Sequence, residues 1–194
     1  MSKFESLKNK FSVNWTTILV GWEGLGTISP WPNDWEKYPT LINLNEVYEH
    51  CYNAFNKKLN NDESNLIFNL LAFENKPAER ALIRSLLQPL AELHSNETSF
   101  ELRKWRVIML GEVLEQLSND PLYDWLSISE FWMYFGHPKD SPIEYQNFGK
   151  NIKPKITYTK NNMGQLVEAH KAWIQDEISN IKHFEFVLSK ENLK

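Results

Sequence analysis

Two histidines have the side-chain chemistry and the sequence neighbours that a catalytic base requires. His170 lies seven residues before Glu177 on one predicted helix, so the two side chains can share a face. Only its own helix supplies nearby groups, and we therefore expect a hydrogen-bonded core or boundary histidine rather than a base or a ligand. His137 ends a predicted helix, and the following loop brings Asp140 and Glu144 close to it. A histidine at a helix end interacts favourably with the helix dipole, which is the simpler role.

The single cysteine, Cys51, could act as a nucleophile only if a base lay beside it. His50 is its neighbour in the sequence, but adjacent residues of a helix do not face each other. Cys51 also lies on an apolar stripe, which favours a buried and unreactive thiol.

The sequence lacks the motifs of common catalytic and cofactor sites. Gly21, Gly24 and Gly26 have neither the dinucleotide spacing nor the spacing of a nucleoside-triphosphate loop. One cysteine and five scattered histidines provide no paired zinc ligands. A Gly-x-Ser-x-Gly elbow and the Glu-x-x-His repeat of helical di-iron proteins are also absent. We predict no catalytic residue, no metal site and no cofactor. The alternative is an enzyme whose site assembles from distant residues such as His170, His137 and Glu144.

Between Arg106 and Lys139 the sequence contains five acidic residues and no lysine or arginine. Such a run is often only a solvated helix face. It also creates a negative potential, which would speed the approach of a basic partner. Aromatic residues are enriched among interface hot spots, so Trp125, Trp132 or Tyr134 could anchor that partner. We predict a partner-binding surface composed of Glu112, Glu115, Asp120, Asp124, Trp125 and Glu130.

Apolar residues recur with a period near 3.6 through most of the chain, which predicts an all-α fold. We expect a single domain over residues 1–194, with about six or seven helices arranged as hairpins packed in series. A long loop rich in proline and tryptophan is expected near the N-terminus, over residues 27–40. The segment from Trp15 to Trp22 is expected to be a short helix capped by Asn14 or Ser12, although its β-branched residues also allow a strand.

Several helix starts can be placed around the acidic run. Thr98 and Glu101 have the spacing of a capping box, and Ser127 and Glu130 repeat it. Pro121 suits the first turn of a helix that begins between them.

The last helix is predicted over roughly residues 162–188. Trp105 and Trp173 lie on regular apolar stripes, and we expect both to be buried. The lysine-rich connector over residues 139–162 is expected to lie against the acidic run because their charges are opposite.

Composition narrows the functional classes. With 194 residues, 42% hydrophobic content and 24% charged content, the chain is typical of a globular domain. A net charge of −4 argues against binding nucleic acid and permits a basic protein partner. The single cysteine suits a reducing cytoplasm, and we see neither a signal peptide nor a segment that could cross a membrane.

Four stretches carry a resemblance: NWTTILVGW, ELRKWRVIMLGEVLEQL, ISEFWMYFGHPKD and TYTKNNMGQLVEAHKAWIQDEI. They resemble an uncharacterised family of small helical bacterial proteins, which is similar to the immunity proteins that protect bacteria from polymorphic or contact-dependent toxins. The resemblance implies a cytoplasmic inhibitor of a toxin domain, for which a nuclease is one candidate, and implies no functional residues of its own. We therefore expect an immunity protein, of unspecified oligomeric state. The alternatives are the enzyme above or a helical scaffold subunit.

Overall fold

The computed structural model describes residues 1–24, 39–56, 59–74, 76–93, 97–142 and 158–191. The regular structure within these ranges consists of eight α-helices and no strand, so the predicted all-α class is confirmed. Most of the predicted Pro/Trp-rich loop and most of the lysine-rich connector lie outside the described residues. The helices are α1 (Lys3–Lys8), α2 (Trp15–Glu23), α3 (Leu44–Phe55), α4 (Asn61–Leu71), α5 (Arg80–Leu93), α6 (Thr98–Glu115), α7 (Pro121–Tyr134) and α8 (Lys160–Glu191).

Contacts within the chain divide it into two compact units, which we call the N-terminal unit (Met1–Trp105) and the C-terminal unit (Arg106–Lys194). The prediction of one domain over residues 1–194 stays a prediction. Within the described ranges, no helix combines the length and the apolar character that crossing a bilayer requires.

Helix α2 forms the core of the N-terminal unit, because every one of its nine residues is buried. Asn14 begins it with a capping box: its side chain accepts from the Thr17 amide, and the Thr17 hydroxyl accepts from the Asn14 amide. The helix packs against α5. Burial on all sides tolerates the β-branched residues, so the helix is correct and the alternative strand is wrong.

Gly21 allows α2 to pack directly against an indole ring. A Cβ atom at this position would lie 2.5 Å from Cζ2 of Trp105 and 3.1 Å from Cγ2 of Ile42. The indole nitrogen of Trp105 donates to the carbonyl oxygen of Thr17 at 3.0 Å. Trp105 has no exposed surface, so its predicted burial is confirmed.

Glu101 is the common partner in a buried polar network and does not form the predicted capping box. Its carboxylate accepts from Asn14 Nδ2 at 2.8 Å and from Thr17 Oγ1 at 2.5 Å, and Nζ of Lys104 lies 2.9 Å away. Lys104 also donates to the carbonyl oxygen of Ser12 at 3.0 Å. The predicted capping box is wrong, because Thr98 is already helical and the Glu101 side chain points into the core.

In the C-terminal unit, α7 runs without interruption from Pro121 to Tyr134. Its start is as predicted, with Asp120 as the N-cap and Pro121 in the first turn. A second start at Ser127 is wrong, because the Ser127 hydroxyl donates to the carbonyl oxygen of Tyr123 within the helix. A serine inside a helix commonly forms this bond to the preceding turn.

Helix α8 has 32 residues and packs against α7. The apolar face that we predicted for it is buried at His170 and Ile181 but not along its whole length. Trp173 is only half-buried, and its indole nitrogen donates to Asp140 at 3.2 Å. Its predicted full burial is wrong, because a tryptophan on a helix stripe can keep its polar edge near solvent.

Candidate partner-binding surface

The turn between α6 and α7 fixes the first of the predicted site residues. The side chain of Asp120 accepts from the amides of Leu122 and Tyr123 at 3.0 and 3.2 Å. A carboxylate in this position satisfies amides that have no partner within the helix, and its charge complements the helix dipole. Asp120 is exposed, but its first role is to begin α7.

Asp124 is buried, with only 4% of its surface exposed. Its Oδ1 atom accepts from the amide of Ser118 at 2.7 Å and from the Ser118 hydroxyl at 2.8 Å, which closes the turn. As a member of the predicted partner-binding surface Asp124 would be an exposed charge, whereas the structure buries it. A lysine here would place a second donor against Ser118 and bury an unpaired charge.

One side of α7 exposes apolar residues to solvent. Tyr123 is 65% exposed, Met133 54% and Leu126 47%. Leu122, Leu126 and Met133 share a side because they are four and seven residues apart. We call the set Leu122, Tyr123, Leu126, Glu130 and Met133 the α7 face. The sequence contained part of the signal for it, because the 3.6-residue period of a helix that begins at Pro121 places Leu122, Leu126 and Met133 on one side.

The remaining predicted site residues lie around this helix in different environments. Glu115 and Glu130 are exposed, whereas Glu112 is half-buried and already takes part in an interaction. Trp125 is half-buried, and its ring packs edge-on against Tyr158 with 5.4 Å between centroids. Glu115 and Glu130 therefore face solvent without a folding role of the kind seen at Asp120 and Asp124, although Glu130 accepts from the Tyr134 hydroxyl at 3.4 Å.

Trp132 cannot anchor a partner, because it has no exposed surface. Its indole nitrogen donates to Nε2 of His170 at 2.8 Å. Since an indole only donates, Nε2 must accept, and the imidazole proton lies on Nδ1, 2.7 Å from the carbonyl oxygen of Leu166. Burial lowers the pKa of His170, and the hydrogen bond to Leu166 opposes this shift only in part. His170 is thus a neutral core histidine, as we expected.

Glu177 forms a salt bridge with an arginine instead of orienting His170. It lies 2.9 Å from Arg106, and both side chains are largely buried. The guanidinium also lies 4.8 Å from the ring centroid of Trp173 and 3.4 Å from Asp140. Because Arg106 comes from another helix, the spacing within α8 could not reveal this partner.

The other candidates for catalysis are not assembled into a site by the described residues. Cys51 is buried, and burial raises the pKa of its thiol to about 12, which keeps it protonated. His137 is exposed at the end of α7 with a positive φ of 51°. Glu144 lies outside the described residues. Within the described ranges, no group of three or more His, Cys, Asp or Glu side chains is placed to hold a metal ion.

Two neighbouring depressions lie beside the first turn of α7. The larger, which we call the α8 groove, has a volume of about 500 Å³ and is bounded by the end of α6, the α6–α7 turn and the first half of α8. The smaller has a volume of about 180 Å³ and contains Trp125 and Tyr158. Of the predicted site residues, Glu115 and Asp124 line the groove together. Apolar walls come from Leu114, Leu117, Met163 and Val167, and the charged lining residues are Glu115, Asp124, Lys160, Glu168 and Lys171.

Residues 4–178 match a protein family described as uncharacterized proteins conserved in bacteria (DUF2247). No curated protein and no solved structure matches the chain. The predicted resemblance to an uncharacterised bacterial family is confirmed, and the likeness to immunity proteins stays a prediction.

Proposed function

The chain belongs to this bacterial family, and we propose that it acts as an immunity protein: a cytoplasmic, non-enzymatic protein that binds and neutralises a cognate toxin domain. The observation that carries the proposal is the α7 face. Isolated exposed apolar residues are normal on a protein surface, but a contiguous set beside polar residues is typical of an interaction site.

The residue types of the α7 face suit a protein interface. Tyr123 offers a large, rigid ring with a hydroxyl, and tyrosine is enriched among residues that dominate binding energy. Leu126 and Met133 would lose water-exposed apolar surface on binding, which stabilises a complex by about 25 cal/mol per Å² before the costs of association. Met133 can also adjust its shape to the partner, since its side chain is flexible.

Charge supports a basic partner. The 32 residues from Val107 to Pro138 contain five carboxylates and no lysine or arginine. Among them, Glu115 and Glu130 are exposed. Exposed charges at the rim of an interface mainly raise the association rate, and salt weakens that effect. A toxin with a basic active site, such as a nuclease, has the complementary charge.

The test uses the purified product of the gene immediately upstream, which we expect to encode the toxin domain. Affinity would be measured by isothermal titration calorimetry for Tyr123→Ala and Leu126→Ala. The matched control is Phe68→Ala, because Phe68 is 69% exposed but lies on α4 in the N-terminal unit. We expect roughly tenfold or greater weakening in at least one α7 variant and less than about twofold in the control.

Charge is tested separately by Glu115→Lys combined with Glu130→Lys. We expect a slower association rate, a smaller dependence of that rate on salt, and an unchanged melting curve. Co-expression of toxin and variant then measures protection of the cell. If Tyr123→Ala, Leu126→Ala and the charge reversal all bind and protect as the wild type does, the α7 face is not the toxin-binding surface.

A further inference from the structure

Asp124 has an acceptor atom that the fold leaves unused. Both hydrogen bonds from Ser118 go to Oδ1, and no described residue donates to Oδ2. The residue is only 4% exposed, and it lines the α8 groove. Oδ2 is not among the fully buried side-chain atoms that lack a partner, so it keeps contact with solvent and is open to a donor from outside the fold. Asp124 lines a groove that is large enough to admit another molecule.

We propose that the α8 groove accepts an arginine side chain of the protein partner, whose guanidinium donates to Oδ2 of Asp124. The inference rests on the proposed function, since it names the element of the toxin that enters this site. The aliphatic stem of the arginine would lie against the apolar walls formed by Leu117, Met163 and Val167. The aliphatic part of the arginine would thus contact apolar residues, and its guanidinium would contact a carboxylate.

The charged side chains of the groove carry one net negative charge, which favours a cation. Lys171 is already paired with Glu168 at 2.8 Å, so these two cancel. Asp124 and Glu115 then exceed the single remaining lysine, Lys160, by one negative charge. Arginine suits the site better than lysine, because its guanidinium is more weakly hydrated and presents several donors in a plane. A volume of about 500 Å³ lies within the range of small-ligand pockets and exceeds what one side chain needs.

Two substitutions test the groove in different ways. Asp124→Asn retains an Oδ1 acceptor for Ser118 while it removes the charge. Gly164→Leu fills the groove, because a Cβ atom at Gly164 would meet nothing within 4 Å. Replacing a glycine within α8 should also favour the helix. Glu130→Gln is the matched control for Asp124→Asn, because it removes one charge from an exposed position of the same helix.

Binding of the upstream gene product is measured first. We expect Asp124→Asn and Gly164→Leu to weaken it by roughly 30-fold or more through faster dissociation, as for truncation of a buried charged pair. Glu130→Gln should mainly slow association. Lys160→Gln should strengthen binding if the occupant is a cation and weaken it if the occupant is an anion. Melting curves establish that each variant is folded.

A second arm needs no partner and uses butylguanidinium as the probe. In a ¹⁵N-labelled sample the amide signal of Gly164 should shift on titration in the wild type, and it should not shift in Asp124→Asn.

If the α7 variants weaken toxin binding while folded Asp124→Asn and Gly164→Leu do not, the arginine proposal is wrong and the proposed function stands. If no toxin binds, the proposed function fails, and an absent shift of Gly164 also overturns the cation site. A shift without any effect of the groove variants on toxin binding assigns the groove to a free guanidinium compound, which overturns the partner's arginine as its occupant.

Discussion

Removal of Lys104 should expose how much the N-terminal unit depends on its buried ion pair. The side chains of Lys104 and Glu101 are each 1% exposed, with Nζ and Oε2 2.9 Å apart. In Lys104→Met the apolar stem is retained and only the charged end is lost. The carboxylate of Glu101 would keep its neutral donors, Asn14 and Thr17, and the carbonyl oxygen of Ser12 would lose the hydrogen bond from Lys104.

The magnitude follows from the burial of both charges. Breaking a buried ion pair by removing one partner costs about 3–5 kcal/mol, because the remaining charge is uncompensated. Adding Glu101→Gln removes that charge, so the double variant should recover most of the loss. With a urea dependence of about 1–3 kcal/mol per M, the single variant should unfold at a midpoint roughly 1–5 M lower.

The control is a pair with the same spacing and orientation on the surface. Glu168 and Lys171 are also three residues apart, with Oε1 and Nζ 2.8 Å from each other, but their side chains are 72% and 57% exposed. Lys171→Met should therefore change the free energy of unfolding by less than about 1 kcal/mol. Equilibrium urea unfolding, followed by far-UV circular dichroism and by tryptophan fluorescence, measures all three variants. A midpoint for Lys104→Met no lower than that of Lys171→Met would refute the reasoning.

Trp105→Ala should lower the free energy of unfolding by about 3–5 kcal/mol, and Trp173→Ala should cost clearly less because Trp173 is half-buried; equal urea midpoints would contradict this ranking. Gly21→Ala should destabilise the protein by about 1–3 kcal/mol, since the added Cβ overlaps the indole of Trp105, and a raised melting temperature would show that the contact is loose. Burial lowers the pKa of His170 below its ordinary 6.5, so its neutral form contributes stability that is present above pH 6.5 and is lost as the pH falls through the folded-state pKa. His170→Gln should therefore lose less stability than the wild type between about pH 7.5 and pH 5, which urea unfolding at each pH measures.

Sequence motifs predicted the helix starts correctly where the capping side chain bonds to residues that are close in the sequence. Asp120 and Pro121 begin α7 as expected, because a cap bonds to amides two and three residues ahead. Glu101 failed as a cap because its carboxylate finds Asn14 and Thr17, which are 87 and 84 residues away in the sequence. A spacing of three residues cannot show such a competitor, and the buried partner prevailed over the local one.

The same limit applies to the candidate site. The acidic run was visible as composition, but composition does not distinguish an exposed carboxylate from one that closes a turn. Asp124 lies six residues after Ser118, a separation at which no standard helix motif predicts a contact. Trp132 was a reasonable anchor by residue type, yet its donor is satisfied by His170, 38 residues later. Placing these side chains required the packing of α7 against α8.

The carboxylates of the acidic run fall into two groups, those that the fold requires and those that are available for binding. Asp120 begins α7, and Asp124 closes the turn before it, so both must remain acceptors for the segment to fold. Neither side chain can lose its acceptor oxygen without disturbing the turn, whereas Glu115 and Glu130 can vary with the partner. It follows that a negative potential at this turn is a consequence of how the segment folds. A basic partner would meet that potential first, the α7 face would hold it by apolar contact, and the free oxygen of Asp124 would select the side chain that enters the groove.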